Sequence, residues 1–177
     1  RGRGTKEDPI QAANLYQKAA QGNHYAAMNN LASLKLVGRG VQKDEPGAAQ
    51  LFKQAADNNC SSAQCNYAIL CDLGRGVQRN PDEAFRYLKM ASDSGHPKAM
   101  NNLAYKYQNG DGTNKDMKEA QRLYELSANS GNTTAIKIEY KFIDKKLFKL
   151  KLSLFKTSLY TTSTQLAINI VIKIINN

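Results

Sequence analysis

The 177-residue chain has no tryptophan, only four prolines, three cysteines and two histidines, and each scarcity removes a class of answer. Apolar residues nowhere run unbroken for the roughly 18–20 positions that a membrane-crossing helix needs, so no span is expected. Cys60, Cys65 and Cys71 are odd in number, and no two are spaced C-x-x-C. Neither a disulfide framework nor a zinc site is expected of them, and they read as reduced structural thiols. His24 and His96 lie 72 positions apart, which prevents them from sharing a metal or a proton. Local capping is their expected role, and no nucleophile–base arrangement can be built on two such residues. Hence no metal, no cofactor and no catalytic residue are expected, and nothing in the sequence requires an enzyme.

The chain also lacks an initiator Met and a charged-then-apolar leader. It opens at Arg1 inside a glycine loop, and so reads as a fragment, a monomer or part of a longer chain. The cytoplasm is the favoured compartment, with the endoplasmic-reticulum lumen the alternative if a signal peptide has been lost. The net charge of +10 suggests a polyanion partner until it is located. Residues 144–177 hold six lysines and one acid, so half of the excess sits in the last fifth of the chain. The rest is only mildly basic, which argues against nucleic acid.

What is present is a period. Gly2-Arg3-Gly4, Gly38-Arg39-Gly40, Gly74-Arg75-Gly76 and Gly110-Asp111-Gly112 recur every 36 residues without insertion or deletion. A fixed period of this size marks a solenoid, in which each unit buries its apolar face against its neighbours. After each loop, one column holds Ala12, Ala48, Ala84 and Ala120. Further columns, such as Leu15/Leu51/Tyr87/Leu123 and Tyr16/Phe52/Leu88/Tyr124, follow at i+3, i+4, i+7 and i+8, an apolar stripe at helical spacing. Asp8, Asp44, Asn80 and Asp116 precede the stripe as N-caps, Pro9 and Pro81 follow at the first helical position, and Gln11, Glu83 and Glu119 suit the reciprocal arm of a capping box.

A second stripe precedes each loop, with columns Ala27/Ala63/Ala99/Ala135, Leu31/Tyr67/Leu103, Ala32/Ala68/Ala104 and Leu34/Leu70. Each unit therefore reads as helix A, a G-x-G loop, then helix B. The paired glycines (Gly38 and Gly40, Gly74 and Gly76, Gly110 and Gly112) supply backbone of positive φ, and the alanine columns let helices approach closely. The fold class is all-α, a solenoid of 36-residue helix–loop–helix repeats. The expected divisions are 1–24 (helix B only), 25–60, 61–96, 97–132, a degenerate last helix at 133–143, and a basic tail at 144–177. Gly47 stands where a helix former is wanted, and the last helix A carries Ile138, Glu139 and Tyr140 in place of Asn, Leu and Ala.

The run from Ala63 through Leu70, Gly74-Arg75-Gly76-Val77, Asn80-Pro81-Asp82-Glu83-Ala84, Tyr87 and Ala91 resembles the Sel-1-like repeat, a relative of the tetratricopeptide repeat. The resemblance covers residues 2 to about 143. It implies an α/α superhelix acting as an adaptor, with helices A on the concave side and a protein or peptide partner bound there. Some secreted relatives carry one cysteine pair per unit, a pattern absent here. Two other readings stand beside it: an RNA-binding pentatricopeptide-like array, and a repeat appendage of a larger enzyme such as a protein kinase.

With Leu31 at the centre of the buried arc, the columns Asn29/Cys65/Asn101 and Ser33/Ile69/Tyr105 point outward at 100° per residue and are the expected partner-binding positions. The column Asn30/Asn66/Asn102 is expected to satisfy neighbouring backbone carbonyls, with a bound peptide backbone as the alternative. Asn59-Cys60-Ser61 and Asn132-Thr133-Thr134 fit the glycosylation pattern. The tail has no Gly, Pro or Arg after Asp144, and both Lys149-Leu150-Lys151-Leu152 and Leu166 to Ile174 alternate at period two, the spacing of a strand. It reads either as read-through into AT-rich noncoding DNA or as a basic amphipathic segment. With neither end capped by a further helix pair, marginal stability is expected.

Overall fold

The structure, a computed structural model, describes residues 8–158. Eight α-helices run through them: α1 (Pro9–Gln21), α2 (Tyr25–Val37), α3 (Glu45–Asp57), α4 (Ser61–Leu73), α5 (Pro81–Asp93), α6 (Pro97–Asn109), α7 (Met117–Asn129) and α8 (Thr133–Ser158). The even-numbered helices are type A and the odd-numbered type B, and the chain is an all-α solenoid. The stacked pairs belong to one compact unit that reaches Ile136, and α8 continues from Lys137 into a second. The G-x-G loop at residues 2–4 and the Leu166–Ile174 alternation lie outside the described residues.

Every B helix starts at its expected cap. Asp8 Oδ1 accepts from the N–H of Ile10 and Gln11, Asp44 from Gly47, Asn80 from Glu83, and Asp116 from Lys118 and Glu119. The reciprocal arm of the capping box does not form in α3, α5 and α7. There the cap residue's own N–H is donated to a carbonyl near the end of the preceding A helix, at Lys35, Cys71 and Tyr107, with lengths of 2.8–2.9 Å. Those bonds close each A–loop–B hairpin and leave Glu83 and Glu119 to pair with Arg86 and Arg122 instead. Gly47 also has a reason: a Cβ there would lie 2.0 Å from Asp44 Oδ2, the oxygen that accepts from Lys35 Nζ at 2.8 Å.

The A helices start at a different column. His24 and His96 accept through Nδ1 from the N–H of Ala27 and Ala99 at 3.2 and 3.3 Å, so both histidines are caps. Asn132 does the same for α8 with the N–H groups of Thr134 and Ala135, while Cys60, in the same column, makes no side-chain cap bond. Of the two glycosylation-pattern asparagines, Asn132 is therefore engaged as a cap and Asn59 is exposed.

The two glycines of each loop do different work. Gly38, Gly74 and Gly110 end the A helices in the left-handed conformation. Gly40, Gly76 and Gly112 are also left-handed, and they press against the first turn of the preceding B helix. A Cβ would lie 2.1 Å from the Pro9 oxygen, 2.2 Å from that of Glu45 and 2.7 Å from that of Pro81. The alanine columns give the same closeness along the helices: Ala48, Ala84 and Ala120 are fully buried. Within a unit, larger side chains lock helix A to helix B. Tyr67 meets Tyr87 edge-on at 5.0 Å, and the buried Ser127 hydroxyl donates to the Pro97 carbonyl at 2.7 Å. At the first helix this cover is missing among the described residues: Leu15 is 61% exposed, where its equivalents Tyr87 and Leu123 are 0% and 2%.

The last helix departs from expectation. Thr133–Ser158 is one continuous helix, so the degenerate helix does not stop at 143 and Lys149–Leu152 is not a strand. Tyr140, Ile143, Leu147 and Leu150 recur at spacings of three, four and three. That helical pattern overlies the local alternation, and no Gly or Pro interrupts it.

Two outcomes follow from these contacts. Gly95 and Gly76 both have positive φ, but a Cβ on Gly95 meets nothing within 4 Å. Gly95→Ala should cost only the left-handed strain of about 1–2 kcal/mol. Gly76→Ala should cost several-fold more in urea denaturation, because two units must separate. His96 is half-buried, and burial, then Lys98, pulls its pKa below the ordinary 6.5. The neutral ring is the capping form, so this contribution is fully present above pH 6.5 and is lost as pH falls from there through the lower folded value. His96→Asn keeps a cap that does not titrate. The stability difference between wild type and variant should therefore be flat above pH 7 and shift toward the variant below 6.5.

Candidate interaction surface

Because buried residues such as Leu31, Ala63 and Leu103 fix the inner side of the A helices, five positions per helix face outward. In α2 these are 26, 29, 30, 33 and 37, and the same columns recur 36 and 72 residues later in α4 and α6. The expected partner positions fall on this arc but are not equally accessible. Tyr105 is 59% exposed; Asn29, Ser33, Ile69 and Asn101 are half-buried. Cys65 is fully buried and is removed from the surface. Its column faces the next A helix of the same layer, as the bond from Asn66 Nδ2 to Asn29 Oδ1 at 3.0 Å shows, and α4 has neighbours on both sides. Burial pushes the Cys65 and Cys71 thiols up to about 11, and all three cysteines are free. Cys65 and Cys71 are therefore poor nucleophiles.

The asparagine column also differs from expectation. Asn66 donates not to a backbone carbonyl but to the Asn29 side chain, whose Nδ2 donates in turn to Asn30 Oδ1 at 3.2 Å. Asn101 donates to Asn102 at 3.4 Å, and its own buried Oδ1 has no hydrogen-bond partner among the described residues. The Ser33 hydroxyl is engaged by its own helix, donating to the Asn29 carbonyl at 2.9 Å. Beyond the amides, at the C-terminal ends of the helices, Val37 and Leu73 are 67% and 61% exposed. Together with Tyr105 they are the apolar members of the arc that solvent reaches most freely. The sequence reading missed Val37 and Leu73, although the outward arithmetic that selected residue 33 selects 37 as well.

Lys106 was also missed. It stands in the column of Leu34 and Leu70, is 2% exposed, and holds Asp72 of the previous unit at 2.6 Å and Asp111 at 3.1 Å. Burial raises the Asp72 carboxyl against the pull of Lys106. A visible signal was there: the loop changes from Arg39 and Arg75 to Asp111 in the unit where the leucine becomes lysine. Arg75 instead reaches Glu45 at 2.8 Å, where Lys43 joins it, and these cations hold the Glu45 carboxyl down to about 2.

Comparison with known proteins gives a consistent picture. A family profile described as Sel1 repeat matches residues 1–24, 26–60, 61–96 and 97–132. A Sel1 repeat protein from Oxalobacter formigenes is 32% identical with a TM-score of 0.73, over 78% of this chain and 55% of that one. The protein c5321, a protective antigen present in uropathogenic Escherichia coli strains displaying an SLR fold, is 27% identical with a TM-score of 0.70, over 76% and 29% of the two chains. Cysteine rich protein B of Helicobacter pylori shares the fold at 23% identity and a TM-score of 0.58, over 78% of this chain and 99% of that one. The chain thus spans about half and under a third of the first two structures. No curated protein matches it in sequence.

Proposed function

The chain belongs to the Sel1 repeat family, and we propose that its solenoid is a non-catalytic scaffold that holds a protein partner on the outward arc of α2, α4 and α6. Sel1 repeat solenoids are generally protein-interaction scaffolds, and assigning the binding side to the A helices is our reading of this chain. The observation that carries the reading is the exposure of Leu73 and Tyr105, with Val37, on that one arc. Apolar side chains exposed together on one face mark interaction sites, and Tyr is among the residues that anchor them. The polar chemistry elsewhere is already occupied: the histidines cap helices, and the Lys106 ion pairs join units.

A capture experiment tests this. The immobilised chain should retain one or more proteins from an extract after nuclease treatment. The Leu73→Ala/Tyr105→Ala double variant should retain at least about tenfold less at an unchanged melting temperature, since both side chains stand in solvent. Unchanged retention by the variant would contradict the assignment of the surface. Retention of RNA that nuclease abolishes would support the pentatricopeptide-like reading instead.

A further inference from the structure

The second half of α8 is built unlike the other helices. Each of α1 to α7 buries at least two alanines, the small residues that let helix pairs approach. After Ala135 the next alanine is Ala167, so residues 137–153 have none. Bulky apolar side chains take their place and stand in solvent: Tyr140 is 65% exposed, Leu150 51% and Ile143 47%. At 100° per residue Tyr140, Ile143, Leu147 and Leu150 form one row, about 80° wide and about 15 Å long. Phe148 and Leu152 are exposed as well and add apolar area outside it.

Lysines surround this row. Lys146 and Lys151 border it on its two sides, within about 40°, while Lys141, Lys145 and Lys149 stand opposite. All five are exposed. The run 137–153 holds six lysines against two acids, Glu139 and Asp144, and no acid follows Asp144. A lysine at the edge of an apolar row can lay its stem along that row while its ammonium stays in water. No described helix is long and apolar enough to cross a membrane. A helix with these two chemistries lies along a membrane surface instead.

One partner uses both chemistries at once. Nucleic acid would engage the lysines and leave the apolar row in water. A packed protein helix would require the close approach that alanine permits elsewhere in this chain. Fluid acyl chains need no matching shape, and anionic headgroups above them attract the lysines. We propose that residues 137–153 bind the surface of an anionic bilayer, with Tyr140, Ile143, Leu147 and Leu150 at the acyl boundary and the lysines among the headgroups. This interaction is independent of the scaffold surface on the A helices.

The test is co-sedimentation of the 177-residue chain with vesicles, either pure phosphatidylcholine or an equal mixture with phosphatidylglycerol, at 100 and 500 mM NaCl. Partitioning onto the anionic vesicles should be at least about tenfold stronger than onto the neutral ones, and should fall at least about fivefold at the higher salt. Each lysine near such a surface contributes about fivefold, so Lys146→Glu/Lys149→Glu/Lys151→Glu should weaken binding at least tenfold. Ile143→Ala/Leu147→Ala/Leu150→Ala, which retains good helix formers, should also weaken it at least tenfold. Lys89→Glu/Lys98→Glu reverses two exposed charges on α5 and α6 and should change it less than twofold. Melting temperatures equal to wild type control for folding. No binding, or equal binding to neutral vesicles, would overturn the proposal. Sensitivity to the lysine variant but not to the alanine variant would show a polyanion contact without insertion and overturn the bilayer. A loss in Lys89→Glu/Lys98→Glu as large as in the lysine variant would assign binding to net charge and overturn the site.

Discussion

The structure depends on how closely one helix pair can approach the next. At Gly40, Gly76 and Gly112 the loop backbone touches the first turn of the preceding B helix, leaving no room for a side-chain carbon. The same glycine residues need a left-handed backbone, so sterics and conformation select the same amino acid. The alanine columns extend this approach along the helices, where a larger side chain would open the interface. From that one constraint follow the strict 36-residue period, the absence of insertions, and the hairpin bonds from Asp44, Asn80 and Asp116 to the A helices.

Close approach also explains what the sequence made legible and what it hid. Columns that repeat a local requirement were readable directly: the N-caps, the glycine pairs, the alanine stripes and the capping histidines. Features set by contacts between units were not. Cys65 lies on the outward arithmetic of a single helix, yet it is buried because its column turns toward the neighbouring A helix. The asparagines bond to one another, and no single-helix pattern reveals that. Lys106 is buried because two carboxylates, one in the previous unit, compensate for it. In the last helix, local alternation of Lys and Leu concealed a longer helical spacing from Tyr140 to Leu150.

The two exposed sides of the stack are consequently free to diverge, since the constraint acts on the inner columns alone. On the B helices the outward positions are filled with charges, several in i,i+3 or i,i+4 pairs such as Arg122–Glu119 and Lys53–Asp57. Such pairs keep a surface solvated and contribute little to stability. On the A helices the outward positions are amides and exposed apolar side chains. A solenoid has no single pocket, so its recognition chemistry is distributed over equivalent positions of successive units. Val37 and Leu73 are of that kind, and Tyr105 stands one turn earlier on the helix of the next unit.

The most direct measurement is site-specific photocrosslinking, with p-benzoylphenylalanine placed at position 73 on the A side or at position 121 on the B side. Both sites are exposed. The account expects a discrete protein adduct from position 73 and none from position 121 in the same extract. An adduct from position 121 alone would contradict it, because the charged side would then be the one that meets the partner.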